Sequence, residues 1–348
     1  MRFTQVNVKG LAVAPPPEIR TSESIEEELR DVYEKLRLPF GRLEMMTGIR
    51  QRRFWRSGMT SAEAASRAGR LVLEQTGFPR DRIGVLIHAS VCRDGLEPAT
   101  AASVHERLGL SSACAIFDLT NACLGVLSSL TQVAFMIESG AIEAGLVVSG
   151  ELAEPLYNAT MRTLKSNKNP TRAWFKRHFA SLTIGSSAAA VLLTRIDSSA
   201  DNVHRFLGGV CRTDSAANSL CRADGSTDST GDGALMQTDS EGLLHAGCAL
   251  AKETWTQAKE VLHWTNETPD HIFTHQVGRA HKDLTFQMLE LDPAKDFPTV
   301  SEWGNTGSAA LPGAWALGID GRPVKKGDKV LLLGIGSGLS CLALGIEW

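Results

Sequence analysis

Short runs of unbroken apolar residues alternate along this chain with longer segments in which apolar positions recur every three or four residues. Those are the periods of buried strands and of half-buried helices. Residues 3–13 alternate like a strand, and residues 22–36 form an acidic, amphipathic segment that predicts a helix with Ser24 as N-cap. Residues 61–76, rich in Ala, Glu and Arg and followed by Gly77, predict a second helix. The runs 83–90, 114–119, 146–149 and 187–194 read as strands, with helices over 97–108 and 126–139 among them. Residues 211–237 are rich in Ser, Asp, Gly and Ala without a period, which predicts a long loop or flap. The rhythm resumes with helices over 247–264 and 279–289 and strands over 271–274, 330–333 and 339–344.

Such alternation predicts an α/β fold with buried parallel pairing in layers. IGVLIHAS from residue 83 resembles HIFTHQV from residue 271, and LVVSG from 146 resembles LLLGIGSG from 331. The correspondence suggests two similar halves, residues 1–198 and 199–348, meeting near 195–205.

At 348 residues, 43% hydrophobic and 22% charged, the chain has the composition of a globular protein, which excludes disordered, collagen-like and coiled-coil readings. Thirty-six basic against 39 acidic residues give net −3, so nucleic acid is not an expected partner. The densest basic run, Arg50 to Arg56, could hold a smaller phosphate ligand through Arg50, Arg52 and Arg53 beside Trp55. Seven scattered Cys without a CxxC pair predict a reduced, cytoplasmic protein. No signal peptide is visible, and the uncharged run 330–346 reads as two strands around a Gly-rich turn, so no membrane span is expected.

Cys123 follows an apolar strand and opens a helical segment. A Cys there either fills a core gap or serves as a nucleophile. Unpaired N–H groups at a helix start favour thiolate, and the Cys123 N–H itself could face a developing oxyanion. His275 ends the strand 271–274, facing the crevice where α/β sheets bind ligands. HIFTH lies on a strand and lacks the Glu of a zinc motif, so no metal is expected. Asn305, in Gly304-Asn305-Thr306-Gly307, is either a turn residue or an amide donor aimed at the same crevice. The turn around Ser337 in Gly336-Ser337-Gly338 could supply a second oxyanion N–H.

Asn121-Ala122-Cys123-Leu124-Gly125, Thr274-His275-Gln276, Gly304-Asn305-Thr306-Gly307 and the terminal Gly-x-Gly-Ser-Gly resemble the motifs of thiolase-fold condensing enzymes, nearest to ketoacyl synthase III and its relatives. The resemblance spans almost the whole chain. It implies a duplicated five-layer α-β-α-β-α fold, a homodimer, and an acyl-accepting Cys123. It also implies that His275 and Asn305 stabilise an enolate or oxyanion, with the backbone at Cys123 and near Ser337 as the oxyanion hole. Thr47-Gly48-Ile49-Arg50 resembles the family's segment near the coenzyme A mouth, although the Trp expected shortly before it is replaced by Arg42.

The identity of the carbanion source decides which condensation occurs. A malonyl donor loses CO2 and needs no protein base, whereas an unactivated acyl thioester must lose an α-proton to a positioned base. Val91-Cys92-Arg93-Asp94-Gly95-Leu96-Glu97-Pro98 resembles the OleA-type branch, in which a Glu in this segment reaches across the dimer. This implies that Glu97 is the base of a head-to-head Claisen condensation of two fatty acyl-CoAs to a β-keto acid. No cofactor beyond coenzyme A as part of the substrate is implied. The alternative is a decarboxylating enzyme of the ketoacyl synthase III type, with malonyl-acyl carrier protein as second substrate. A catalytically silent scaffold and a cysteine hydrolase are further readings.

Overall fold

The structure, a computed structural model, describes residues 1–197, 203–224 and 235–348. The strands are β1 (Val6–Ala14), β2 (Glu18–Thr21), β3 (Gln51–Phe54), β4 (Ile83–His88), β5 (Ala115–Asp118), β6 (Ala144–Glu151) and β7 (Ser187–Arg195). They continue with β8 (Arg205–Thr213), β9 (Cys221–Asp224), β10 (Leu235–Thr238), β11 (His271–Thr274), β12 (Lys329–Gly336) and β13 (Ser340–Glu347). Nine of them form one sheet in the order β11-β12-β13-β8-β1-β7-β6-β4-β5. Strands β1 and β8 meet only at Asn7 and Arg205, which divides the sheet in two.

The pairing repeats across that seam. β1 is antiparallel to β7, β7 antiparallel to β6, β6 parallel to β4 and β4 parallel to β5. In the second half β8 is antiparallel to β13, β13 antiparallel to β12 and β12 parallel to β11. The place of β5 is taken by a single parallel bridge between Ile272 and Asp296. The strands that resemble one another in sequence therefore occupy equivalent positions, β4 with β11 and β6 with β12. The expected parallel pairing is found for β4 with β5 and β6 and for β11 with β12. Strands β12 and β13, expected as two strands around a Gly-rich turn, run antiparallel as such a tight turn requires, so the sheet is mixed.

Side-chain alternation builds the layers. Val330 and Leu332 of β12 join a central core that includes the helices Gly125–Glu138 and Ala310–Gly321, while Leu331 and Leu333 face the helices Ser240–Leu262 and Arg279–Leu289. In β6, Val147 faces the same centre, and Leu146 and Val148 pack under the helices Ser61–Thr76 and Thr100–Leu108. Helix, sheet, helix, sheet, helix is the resulting order, as the resemblance implies.

Several local expectations are corrected. Thr21, not Ser24, caps the first helix, accepting from the Ser24 N–H, and that segment divides into Ser22–Glu28 and Arg30–Leu36. The helix expected from residue 97 starts at Thr100, where Asp118 accepts the N–H groups of Thr100 and Ala101 at 2.8 Å each. Within the expected loop 211–237, strand β8 runs on to Thr213, and β9 and β10 pair as a hairpin; residues 225–234 lie outside the described residues. The next helix begins at Ser240 instead of 247, with the Asp239 side chain accepting from the Gly242 N–H. The boundary placed between residues 198 and 199 also lies outside the described residues.

Candidate active site

Strand β5 ends at Asp118, and the chain turns through Ala122 before the helix Gly125–Glu138 begins. Ala122 holds φ at +45°, a left-handed conformation that costs a side-chain-bearing residue about 1–3 kcal/mol. The surroundings enforce it. Ser308 Oγ donates to the Ala122 carbonyl at 2.5 Å, and a Cβ on Gly125 would come within 2.9 Å of that same Oγ. Leu124 N donates to the Asn121 carbonyl at 2.9 Å, closing the turn around Cys123.

The β12–β13 turn comes up against this elbow. A Cβ on Gly336 would lie 3.6 Å from the Cys123 nitrogen, so the turn that carries Ser337 starts next to the Cys123 backbone. His275 leaves the end of β11 with its N–H donated to Leu333 of β12 at 3.0 Å. Asn305 is pinned from both sides, its N–H donating to Thr183 O at 2.9 Å and its carbonyl accepting from Gly185 N at 2.8 Å. Its Oδ1 accepts from Gly307 N at 3.1 Å, which holds the side-chain amide in the turn. Gln276 fastens the His275 turn to the segment leading to Asn305. Its Nε2 donates to Phe297 O, and its Oε1 accepts from Thr299 and Val300.

Electrostatics correct one expectation. The thiolate predicted for Cys123 is not the resting form, since burial, then the neighbouring Glu151 carboxylate, then Cys221, push the thiol up to about 12. The helix begins at Gly125, just past Cys123 as the sequence predicts, and burial outweighs what its start contributes. His275 is shifted the other way. Burial, with His281 nearby, pulls its imidazole down to about 4, so it is neutral at physiological pH. Both ring nitrogens are buried without a hydrogen-bond partner among the described residues. The resting pair is therefore neutral thiol and neutral imidazole. Iodoacetamide alkylation of Cys123 in the free enzyme should keep accelerating with pH beyond 9; a plateau near pH 7 would show an activated thiolate instead.

Glu97 sits on the loop between β4 and the helix Thr100–Leu108, exposed on the single chain beside exposed Leu96. Ile116 and Phe117 on edge strand β5 are each 37% exposed, an apolar face where the sequence predicts an ordinary buried strand.

The basic run divides. Arg50 is exposed and ion-paired with Glu302 at 2.7 Å, and Arg53 lies 5.3 Å over the Trp303 ring, so both flank the Asn305 turn. Arg52 and Trp55 are corrected as coenzyme A ligands. Arg52 is fully buried, donates to Ser22 Oγ at 3.1 Å, and burial pulls its guanidinium down to about 10. Trp55 is 2% exposed with its indole N–H on Glu151 O at 3.2 Å, leaving no face for an adenine. The alternation of β3 explains Arg52, because residues 52 and 54 point inward from a paired strand, whereas Trp55 lies past the end of β3. Sequence reasoning missed Ser308, Gln276 and Glu151. Glu151 had left one signal, a lone carboxylate ending an apolar strand.

Among the described residues no cluster of His, Cys, Asp or Glu is arranged for a metal, and no helix is long and apolar enough to cross a membrane. The family description 3-oxoacyl-acyl-carrier-protein synthase III matches residues 117–215, and its C-terminal counterpart matches residues 260–348. The chain is 36% identical to the acyl-CoA:acyl-CoA alkyltransferase of Shewanella oneidensis, over the full length of both. A Cys-to-Ser variant of Xanthomonas campestris OleA with bound lauric acid and lauroyl-CoA superposes with a TM-score of 0.93 at 36% identity, covering 99% of this chain and 100% of that one. The β-ketoacyl-acyl-carrier-protein synthase III of Rhizobium meliloti is more distant, 27% identical over 98% of each chain. Elbow, imidazole, amide and exposed carboxylate thus occur on a backbone of that type, and the chain belongs to the OleA-type acyl-CoA:acyl-CoA alkyltransferases, within the thiolase-fold family of 3-oxoacyl-acyl-carrier-protein synthase III.

Proposed function

We propose that this protein joins two fatty acyl-CoAs head to head without decarboxylation, working as a homodimer in the cytoplasm. The observation that carries the reading is Glu97 as an exposed carboxylate on the loop between β4 and the helix Thr100–Leu108, in a chain whose sheet ends at the exposed strand β5. A base so placed serves the site of a second chain docked along that edge. Residues 1–198 contribute nucleophile and base, and residues 199–348 contribute His275 and Asn305.

Cys123 sulfur attacks the first thioester carbonyl. Its proton passes by way of neutral His275 to the departing CoA sulfur, giving acyl-Cys123 and free CoA. The oxyanion of that step is held by the N–H groups of Cys123 and Ser337. Glu97 of the partner subunit then takes the α-proton of the second acyl-CoA, and the enolate oxygen is held by a His275 ring N–H and the Asn305 amide. The carbanion attacks acyl-Cys123, the C–S bond breaks, and the sulfur regains a proton. Water hydrolyses the β-ketoacyl-CoA to a β-keto acid and a second CoA. Arg50 and Arg53 supply phosphate contacts at the mouth, and no cofactor beyond substrate CoA is needed.

Mass spectrometry of products from a long-chain acyl-CoA alone, then with malonyl-acyl carrier protein added, tests this. The expected product is the β-keto acid, or the ketone left when it loses CO2, from acyl-CoA alone. Condensed product only with malonyl-acyl carrier protein, with CO2 released from malonyl, would instead assign the decarboxylating reaction with that carrier as partner.

A further inference from the structure

Glu151 ends β6 at 4% exposure, and no Lys or Arg pairs with it among the described residues. Its partners are backbone N–H groups from two separate loops. Oε1 accepts from Val91 at 2.9 Å and from Ser308 at 2.9 Å, while Oε2 accepts from Cys92 at 3.3 Å. Val91 and Cys92 lie in the loop that carries Glu97. Ser308 lies three residues past Asn305, and its own hydroxyl holds the Ala122 carbonyl in front of the nucleophile. We propose that Glu151 is a positioning residue that locks the loop of the base to the turn of the enolate donor, holding both in register around Cys123. This rests on the role of Glu97 given above.

Three features favour a lock over packing. An apolar side chain would fill the interior without the penalty of a buried carboxylate, so the charge is retained for its acceptors. A carboxylate offers two oxygens that both only accept, which suits converging N–H groups; a glutamine would turn an N–H2 toward one of them. The room is also tailored. A Cβ on Gly307, itself at φ +56°, would come 2.9 Å from Glu151 Oε1. Asp94 secures the same loop further on, accepting from Ser61 N at 2.7 Å and Ala62 N at 3.2 Å, but those bonds lead to the helix Ser61–Thr76 and not to the Asn305 turn. Glu151 is thus the side chain that touches both loops.

The test is Glu151→Gln, with Cys123 acylation and condensation measured separately and amide hydrogen exchange followed at residues 91, 92 and 308. The Glu151 charge also bears on the Cys123 thiol, so acylation shifts as well, and the lock requires condensation to fall at least about tenfold further than acylation. Condensation kcat should fall about 10- to 100-fold at nearly unchanged KM, the penalty of misplacing a reacting group by an ångström or so. The three amides should exchange at least about tenfold faster than in wild type. Equal losses in acylation and condensation, or condensation within threefold of wild type, would overturn the proposal. Should the variant not fold, exchange in the wild-type protein decides: Val91 and Ser308 amides must be protected to a similar degree, and a difference of about 100-fold or more rules out a shared lock. Exchange does not depend on the reaction, so a wild type that makes no condensed product would overturn the proposed function and leave this result standing.

Discussion

Glu97→Ala should leave the first half of the reaction running and stop the second. Radiolabelled acyl-CoA should still acylate Cys123 at close to the wild-type rate, because no proton need be taken from carbon in that step. Condensation should fall by about 10²- to 10⁴-fold, the range expected when a positioned general base is removed. Wild-type condensation in this variant would refute the assignment. A mixing experiment reaches further. Cys123→Ser and Glu97→Ala, each inactive alone, are refolded or co-expressed together. If the carboxylate serves the neighbouring subunit, a mixed pair contains one complete site, built from the Cys123 of one chain and the Glu97 of the other. Random pairing then restores about a quarter of wild-type activity in a two-fold symmetric dimer. If Glu97 serves its own chain, mixing restores nothing.

The largest effect is expected at the nucleophile. Cys123→Ser should carry no acyl label after incubation with acyl-CoA, and condensation should fall by on the order of 10⁴ or more, as when other covalent nucleophiles are removed. The neutral resting pair explains why oxygen is no substitute. Burial that already holds the thiol up to about 12 and the imidazole down to about 4 opposes a separated ion pair. Attack therefore has to be concerted with proton departure. Sulfur tolerates this, being polarisable and weakly bonded to its proton, whereas a serine hydroxyl in the same enclosure is far harder to ionise. Persistent covalent labelling of the Ser variant at another residue would move the nucleophile away from position 123.

Much of this arrangement was legible in the linear chain, and the parts that were not share a cause. Cys123 and His275 were readable because each follows a short apolar run, and Asn305 because it sits in a turn bounded by Gly304 and Gly307, all local signals. The equivalence of β4 with β11 was likewise written in IGVLIHAS and HIFTHQV. What failed was long-range. Whether Arg52 points out or in, and which strands β1 and β7 pair with, depend on partners far away in sequence. The thiol's protonation state failed for the same reason, since Glu151 approaches from 28 positions along the chain and burial is a property of the whole fold. Ser308 and Glu151 carry no motif of their own. Their meaning is the pair of loops they join.

The missing counterpart of β5 in the second half has a bearing on quaternary geometry. There the outermost strand, β11, is fully covered and touched on its far side by the Asp296 bridge, so it offers no ladder to a newcomer. Among the described residues, the other end of the sheet is β5, with Ile116 and Phe117 exposed. Two copies that pair rim to rim would use up both rims and close the point group at two, whereas two open rims would allow an unending fibre.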